Sequence, residues 1–269
     1  MMRFLQSLVV AAALLWAAPS WAAPVAYAFT GNTAHTGGAG TISVTVPTGG
    51  IPAGSGIYVA VTSTPPSYIG TVADTATIPN TYTEISGGST TIFNRTQVFQ
   101  AYNSNALTSG QTITYTLNGS PAAAAMTVFY VTGLLTTGNP FDSATLNTAV
   151  FNNTGSQPTG TVSGTPTVPG EAFLSIAGWL QRTQITAGFA LDTANGWTAP
   201  PPTLVEFNDT GYSDSYLGVA GGFQVNAGTG QLTTQPTFTN LSGLELNIII
   251  LGLKPAPPPS SSFIFHPFP

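Results

Sequence analysis

In Thr41-Ile42-Ser43-Val44-Thr45-Val46, and again in Thr112-Ile113-Thr114-Tyr115-Thr116-Leu117, every second residue is apolar and the residues between carry hydroxyls. Side chains along a strand point alternately to its two faces, so a period of two predicts half-buried strands with one face on a core and one in water. Threonine is β-branched and favours the pleated backbone, so a hydroxyl-covered outer face holds strand structure without Lys or Glu. Turn clusters such as Pro47-Thr48-Gly49-Gly50, Ser86-Gly87-Gly88-Ser89 and Asn118-Gly119-Ser120-Pro121 separate such segments at the spacing of an all-β sandwich. The expected fold class is therefore all-β, an antiparallel β-sandwich. Met126–Leu135 and Leu244–Leu253 read as buried strands, and Ala122–Ala125 reads as a turn.

Charge is scarce. Four Lys plus Arg and nine Asp plus Glu amount to 5% of 269 residues, against about 25% in an ordinary soluble domain. Hydrophobic residues still make up 42%, enough to bury a core, so the composition is not that of a disordered chain despite 30 Gly and 22 Pro. A net charge of −5 lacks the basic footprint that binding to nucleic acid requires. With no cysteine, neither thiol catalysis nor a disulfide is available, and stability rests on the core.

The N-terminus reads as a secretory signal over residues 1–22: Arg3, an apolar run from Phe4 to Ala18, then small residues at Ser20 and Ala22 around a cleavage point. That run is shorter than the roughly 20 residues needed to cross a bilayer, so the expected mature chain has no transmembrane span and is secreted or held at the cell surface. Residues 254–269 form a Pro-rich tail, a polyproline-type spacer ending in Phe263, Phe265 and Phe268 as a candidate partner-docking tip.

Between these ends, residues 23–253 read as a single β-sandwich domain built from two weakly repeated halves, about 37–135 and 160–253. Gly56-Ile-Tyr-Val-Ala-Val aligns with Gly170-Glu-Ala-Phe-Leu-Ser, and Ser109-Gly110-Gln111 aligns with Thr229-Gly230-Gln231. Asp74-Thr75-Ala76 with Asn80-Thr81-Tyr82 aligns with Asp192-Thr193-Ala194 and Asn195-Gly196-Trp197. Two arrangements satisfy the repeat: one sandwich whose halves interleave as a jelly roll, favoured because the halves then share a core, or two consecutive sandwiches. The connector from Thr136 to Pro169 reads as linker or crossover.

The order Ile42-Ser-Val-Thr-Val-Pro, Gly-rich turn, Ile57-Tyr-Val-Ala-Val, Asp74 with Asn80-Thr-Tyr-Thr, and later Gly170-Glu-Ala-Phe-Leu with Gly196-Trp197-Thr198 resembles a widespread, poorly characterised group of bacterial and phage-associated proteins. These are lectin-like jelly-roll β-sandwiches, found as secreted or virion surface modules. The resemblance spans about Gly37 to Lys254, implies the jelly-roll, lectin-like version of the fold, and carries over no functional residue. The export signal disfavours a virion part assembled inside the cell.

Catalysis has few candidate groups. The acids form no Glu-x-Asp-x-x-Glu strand pattern that would place a glycosidase pair on one face, and the two histidines, His35 and His266, lie near opposite ends of the chain. No catalytic residue and no required cofactor is expected. Asn208, Asp209 and Asp214, around a Gly turn, form a candidate calcium loop of hard oxygen ligands. Asp192, Asn195, Trp197 and Tyr212 form a candidate carbohydrate face, pairing rings with amide and carboxylate partners; the competing reading of Trp197 and Tyr82 is a shared core role. The expected function is an exported, non-enzymatic surface or extracellular structural protein, acting by self-association or contact with other surface proteins. The alternative is a lectin-like module that binds glycans, with a glycoside hydrolase or phage surface protein behind it.

Overall fold

A computed structural model describes residues 23–29, 34–36, 40–64, 67, 69–85, 89–91, 94–118, 123–153, 161–181, 188–198, 216–226, 228–239 and 244–257. The strands of the first half are β1 (Val25–Phe29), β2 (Ala34–Thr36), β3 (Thr41–Thr45), β4 (Gly56–Thr64), β5 (Gly70–Asp74), β6 (Thr83–Glu84), β7 (Ser89–Thr90), β8 (Arg95–Ala101), β9 (Thr112–Leu117) and β10 (Ala123–Thr132). The second half holds β11 (Phe141–Asn153), β12 (Val162–Gly164), β13 (Ala172–Gln181), β14 (Gly188–Ala190), β15 (Tyr216–Val225), β16 (Leu232–Thr234), β17 (Thr237–Thr239) and β18 (Leu244–Leu253). Among the described residues, the 3-10 turn Thr193–Asn195 is the sole helical element, and no helix is long and apolar enough to cross a membrane.

The sheets stack as layers. A seven-stranded sheet runs β1-β10-β4-β8-β6, with β2 on β10 and β7 on β8, and the three-stranded β3-β9-β5 covers its outer face. In the second half β11-β18-β13-β15 is covered by the pairs β12-β16 and β14-β17. All these ladders are antiparallel, and each joins strands of one half. The inner orders β1-β10-β4-β8 and β11-β18-β13-β15 correspond strand for strand. So do the outer pairings, with β16 and β17 together taking the place of β9.

The two large sheets face each other, and the halves share the layer between them. Tyr58, Ala60, Val98, Phe129 and Val131 from the first meet Leu174, Ile176, Val219, Ile249 and Leu251 from the second. Each large sheet also buries its far face against its own outer strands, Ile57, Val59 and Met126 on Ile42, Ile113 and Tyr115, and Phe173, Trp179 and Ile248 on Val162, Trp197 and Phe238. With both faces covered, β4 is buried at all nine positions: Ile57 to Val61 is an apolar run, and the hydroxyls of Thr62, Ser63 and Thr64 are buried after it. The outer strand β3, covered on one side only, keeps strict alternation.

Two sequence expectations change. Ala123–Ala125 is the start of β10, paired with β2 and β4, rather than a turn; Ala124 and Ala125 are buried between covering layers, where small side chains fit. The connector contains β11, an edge strand of the second large sheet. β1 takes the matching edge position in the first large sheet and lies before residue 37.

Candidate functional site

Asp192, Asn195 and Trp197 do come together, on the short turn that follows β14. The Asp192 carboxylate accepts the Asn195 Nδ2–H at 2.8 Å and the Gln235 backbone N–H at 2.8 Å through Oδ2. Gln235 lies in the break between β16 and β17, beside Pro236, which has no N–H of its own. Asp192 therefore occupies the place where the outer ladder is interrupted. Gly196, at φ 84°, reverses the chain where a side chain would be strained, and delivers Trp197 inward. The Trp197 ring is only 1% exposed, lies among Trp179, Phe238 and Leu246, and donates Nε1–H to the Thr233 carbonyl at 2.6 Å. A ring so placed has no face for a sugar.

The first half repeats the device with different side chains. Asp74, at the end of β5, accepts from the Ala76 N–H at 3.1 Å, the Asn80 N–H at 3.3 Å, the Asn80 Nδ2–H at 2.8 Å and the Tyr82 hydroxyl at 2.9 Å. Burial and the Asp74 charge both push the Tyr82 hydroxyl pKa far above its ordinary value, so Tyr82 remains a donor. The aligned Asp and aromatic residues thus tie corresponding corners of the two outer sheets to their cores. Tyr212, the candidate calcium ligands Asn208, Asp209 and Asp214, and the tail residues Phe263, Phe265 and Phe268 lie outside the described residues. Among the described residues no group of three or more His, Asp or Glu side chains is placed to hold a metal.

A second polar cluster closes the base of the second half. Glu171, fully buried, accepts the Thr167 N–H at 2.8 Å through Oε2, while Oε1 has no partner among the described residues. Thr167 donates its hydroxyl to Asp142 Oδ2, and the Lys254 ammonium stands 3.5 Å from the same oxygen. Thr145 Oγ1 donates to the Asp142 carbonyl and accepts the Gly252 N–H, each at 2.7 Å. A Cβ at Gly252 would overlap Glu171 Oε1 and Thr145 Oγ1, so glycine there makes room for the carboxyl.

Burial raises the Glu171 pKa above the ordinary 4.5; Asp142 adds to the rise, and the Thr167 and Val168 N–H groups and Lys254 oppose it. A carboxyl that holds its proton more tightly when folded favours folding on the acid side. That contribution fades as pH rises from the ordinary value through the folded one. Glu171→Gln removes the buried charge at nearly unchanged volume and should therefore be more stable than the parent at neutral pH. Urea midpoints across pH check this: the gap between the two proteins should shrink toward about pH 4, where the parent carboxyl is protonated. A gap independent of pH sinks the assignment.

Two surfaces of the first half stand out. On the outward face of β3, β9 and β5 the register aligns Thr41-Thr116-Thr71 and Ser43-Thr114-Ala73, with Thr45 beside Thr112. Ser43 and Thr114 share a hydrogen bond at 2.8 Å, and no charged residue occupies these positions. At the loop end of the same half, Tyr102 is 47% exposed and Ile78 66% exposed. Neither was marked by the sequence pattern; their signal is visible only when corresponding loops of the two halves are laid side by side. No protein family, no curated protein and no solved structure matches the chain.

Proposed function

We propose that this is an exported, non-enzymatic surface or extracellular structural protein that works by contact, through self-association or through a partner surface. The observation that carries the reading is the charge-free hydroxyl face of β3-β9-β5, flanked by edge strands that pair on one side only. Edge strands are commonly protected from pairing by Lys or Pro, and β3 and β5 contain neither. With so few charges elsewhere, electrostatic repulsion gives little protection against self-contact. The core shared by the two large sheets supports reading residues 23–253 as one jelly-roll-like, lectin-like sandwich built from two weakly repeated halves.

Sedimentation of the mature protein tests the reading. The expected result is reversible, concentration-dependent oligomers that change little with salt, because screening acts on charges and this face has none. Thr45→Lys on the edge strand β3 should shift the distribution toward monomer. A strict monomer at every concentration overturns the self-association reading.

A further inference from the structure

We infer that the loop corner carrying Tyr102 and Ile78 is a binding site for a neutral carbohydrate ring, distinct from the sheet face proposed for assembly. The two halves share a frame, so their differences locate what one half has and the other lacks. Tyr82 follows Asp74 by eight positions, whereas Trp197 follows Asp192 by five, and the longer first-half turn includes Ile78. The loop from β8 to β9 begins Tyr102-Asn103-Ser104-Asn105; its counterpart from β15 to β16 is Asn226-Ala-Gly-Thr-Gly-Gln231, with no aromatic residue. The extra apolar and aromatic side chains of the first half are the exposed ones, so they add little to the core.

The loops that present them are fixed by hydrogen bonds. The Asn105 backbone N–H donates to Asn80 Oδ1 at 2.7 Å and its Nδ2–H donates to the Ile78 carbonyl at 3.1 Å, which joins the two loops. Ser104 N–H donates to the Ser55 carbonyl at 3.0 Å and its own carbonyl accepts from Gly54 N–H at 2.8 Å. Ile51 and Leu107 exchange both backbone bonds, at 2.8 and 3.1 Å. Between Tyr102 and Ser104, Asn103 stands at φ 48°, the sole non-glycine residue with positive φ among the described residues. Asn is one of the few non-glycine residues that adopt this conformation readily, and it turns the chain sharply between Tyr102 and Ser104.

The chemistry of the corner selects the ligand class. An exposed aromatic face accepts the C–H face of a pyranose ring, and amide side chains such as Asn103 and Asn105 both donate to and accept from hydroxyls. Neither loop contains a charged residue, and the nearby Asp74 carboxylate is already held by four donors. A charged ligand would find no counter-charge there, whereas a neutral polyhydroxylated ring is matched at both its apolar and its polar surfaces. Because the loops are pre-organised, binding requires little ordering of the protein.

The test is calorimetric titration of the mature protein with neutral hexa-oligosaccharides: cello-, chito-, malto-, xylo- and manno-oligosaccharides. Saturable binding of at least one is expected. Tyr102→Ala should weaken it roughly tenfold, the scale of one aromatic contact, and Tyr102→Trp should retain it. Ile78→Ser, on the other loop, should weaken it independently and serves if Tyr102→Ala does not fold. Binding by none of the five, or binding unchanged in both variants, overturns the site. A Tyr102→Ala effect on sedimentation with no effect on sugar affinity also overturns it, and identifies the corner as a contact between copies.

Discussion

Gly178→Val should destabilise the protein by about 3 kcal/mol, the top of the usual range for overpacking, because it wedges the two halves apart. Gly178 lies on β13 directly across from β4 and β8, and a Cβ there would overlap the hydroxyls of both Thr62 and Thr96. Those hydroxyls are buried and bonded to each other at 3.1 Å, so they have no solvent to retreat into. Beside them Thr91 donates to Glu245 Oε2 at 2.5 Å, Asn94 donates Nδ2–H to the Glu245 carbonyl at 3.1 Å, and Asn247 donates to Asn94 Oδ1 at 2.5 Å. This polar seam fixes the register between the sheets at one end of a layer that is otherwise apolar. Backing the sheets away to admit two methyl groups would break these bonds and unpack Tyr58, Phe129 and Ile249 together. Urea unfolding followed by far-ultraviolet circular dichroism reads the loss directly. Removing the opposing hydroxyl in Gly178→Ala/Thr96→Ala should recover part of what Gly178→Ala alone loses, a coupling expected only of side chains in contact. If Gly178→Val unfolds at the parent midpoint, the two large sheets do not pack against each other at Gly178.

The outer strands β3 and β9 were legible because one solvated face imposes strict alternation, and β10 and β18 because burial on both faces imposes apolar runs. β11 was not legible: its pairing with β18 shifts register between Asp142 and Asn147, and a shifted register destroys the period of two. The alignment of Asp74 with Asp192 and of Tyr82 with Trp197 picked out two turns whose carboxylates both anchor the local chain, but left the role of the rings open. Sequence spacing places a ring near a carboxylate without saying which way the ring faces. That direction depends on Gly196 and on the interrupted β16–β17 ladder, both tertiary features. Tyr102 was invisible for the converse reason, since a lone tyrosine between Ala101 and Asn103 has no periodicity to mark it.

Trp197→Ala separates a core tryptophan from a ligand platform. A platform residue is exposed, so its truncation abolishes binding and leaves the denaturation midpoint nearly unchanged. Trp197 instead fills the layer between β13, β18 and the outer strands, and its loss should destabilise the protein by about 3–5 kcal/mol. Trp197→Phe divides that cost: much of the ring volume is kept, but Nε1–H no longer satisfies the Thr233 carbonyl, so a loss of about 1–3 kcal/mol should remain. Tyr82→Phe at the corresponding corner should cost less than Trp197→Ala, because the ring stays and Asp74 keeps three of its four donors. The order Trp197→Ala, then Trp197→Phe, then the parent in rising urea midpoint is therefore expected, with any carbohydrate affinity of the folded variants intact. Trp197→Ala that unfolds at the parent midpoint and has lost a ligand would move Trp197 out of the core and make the Asp192 corner the binding face.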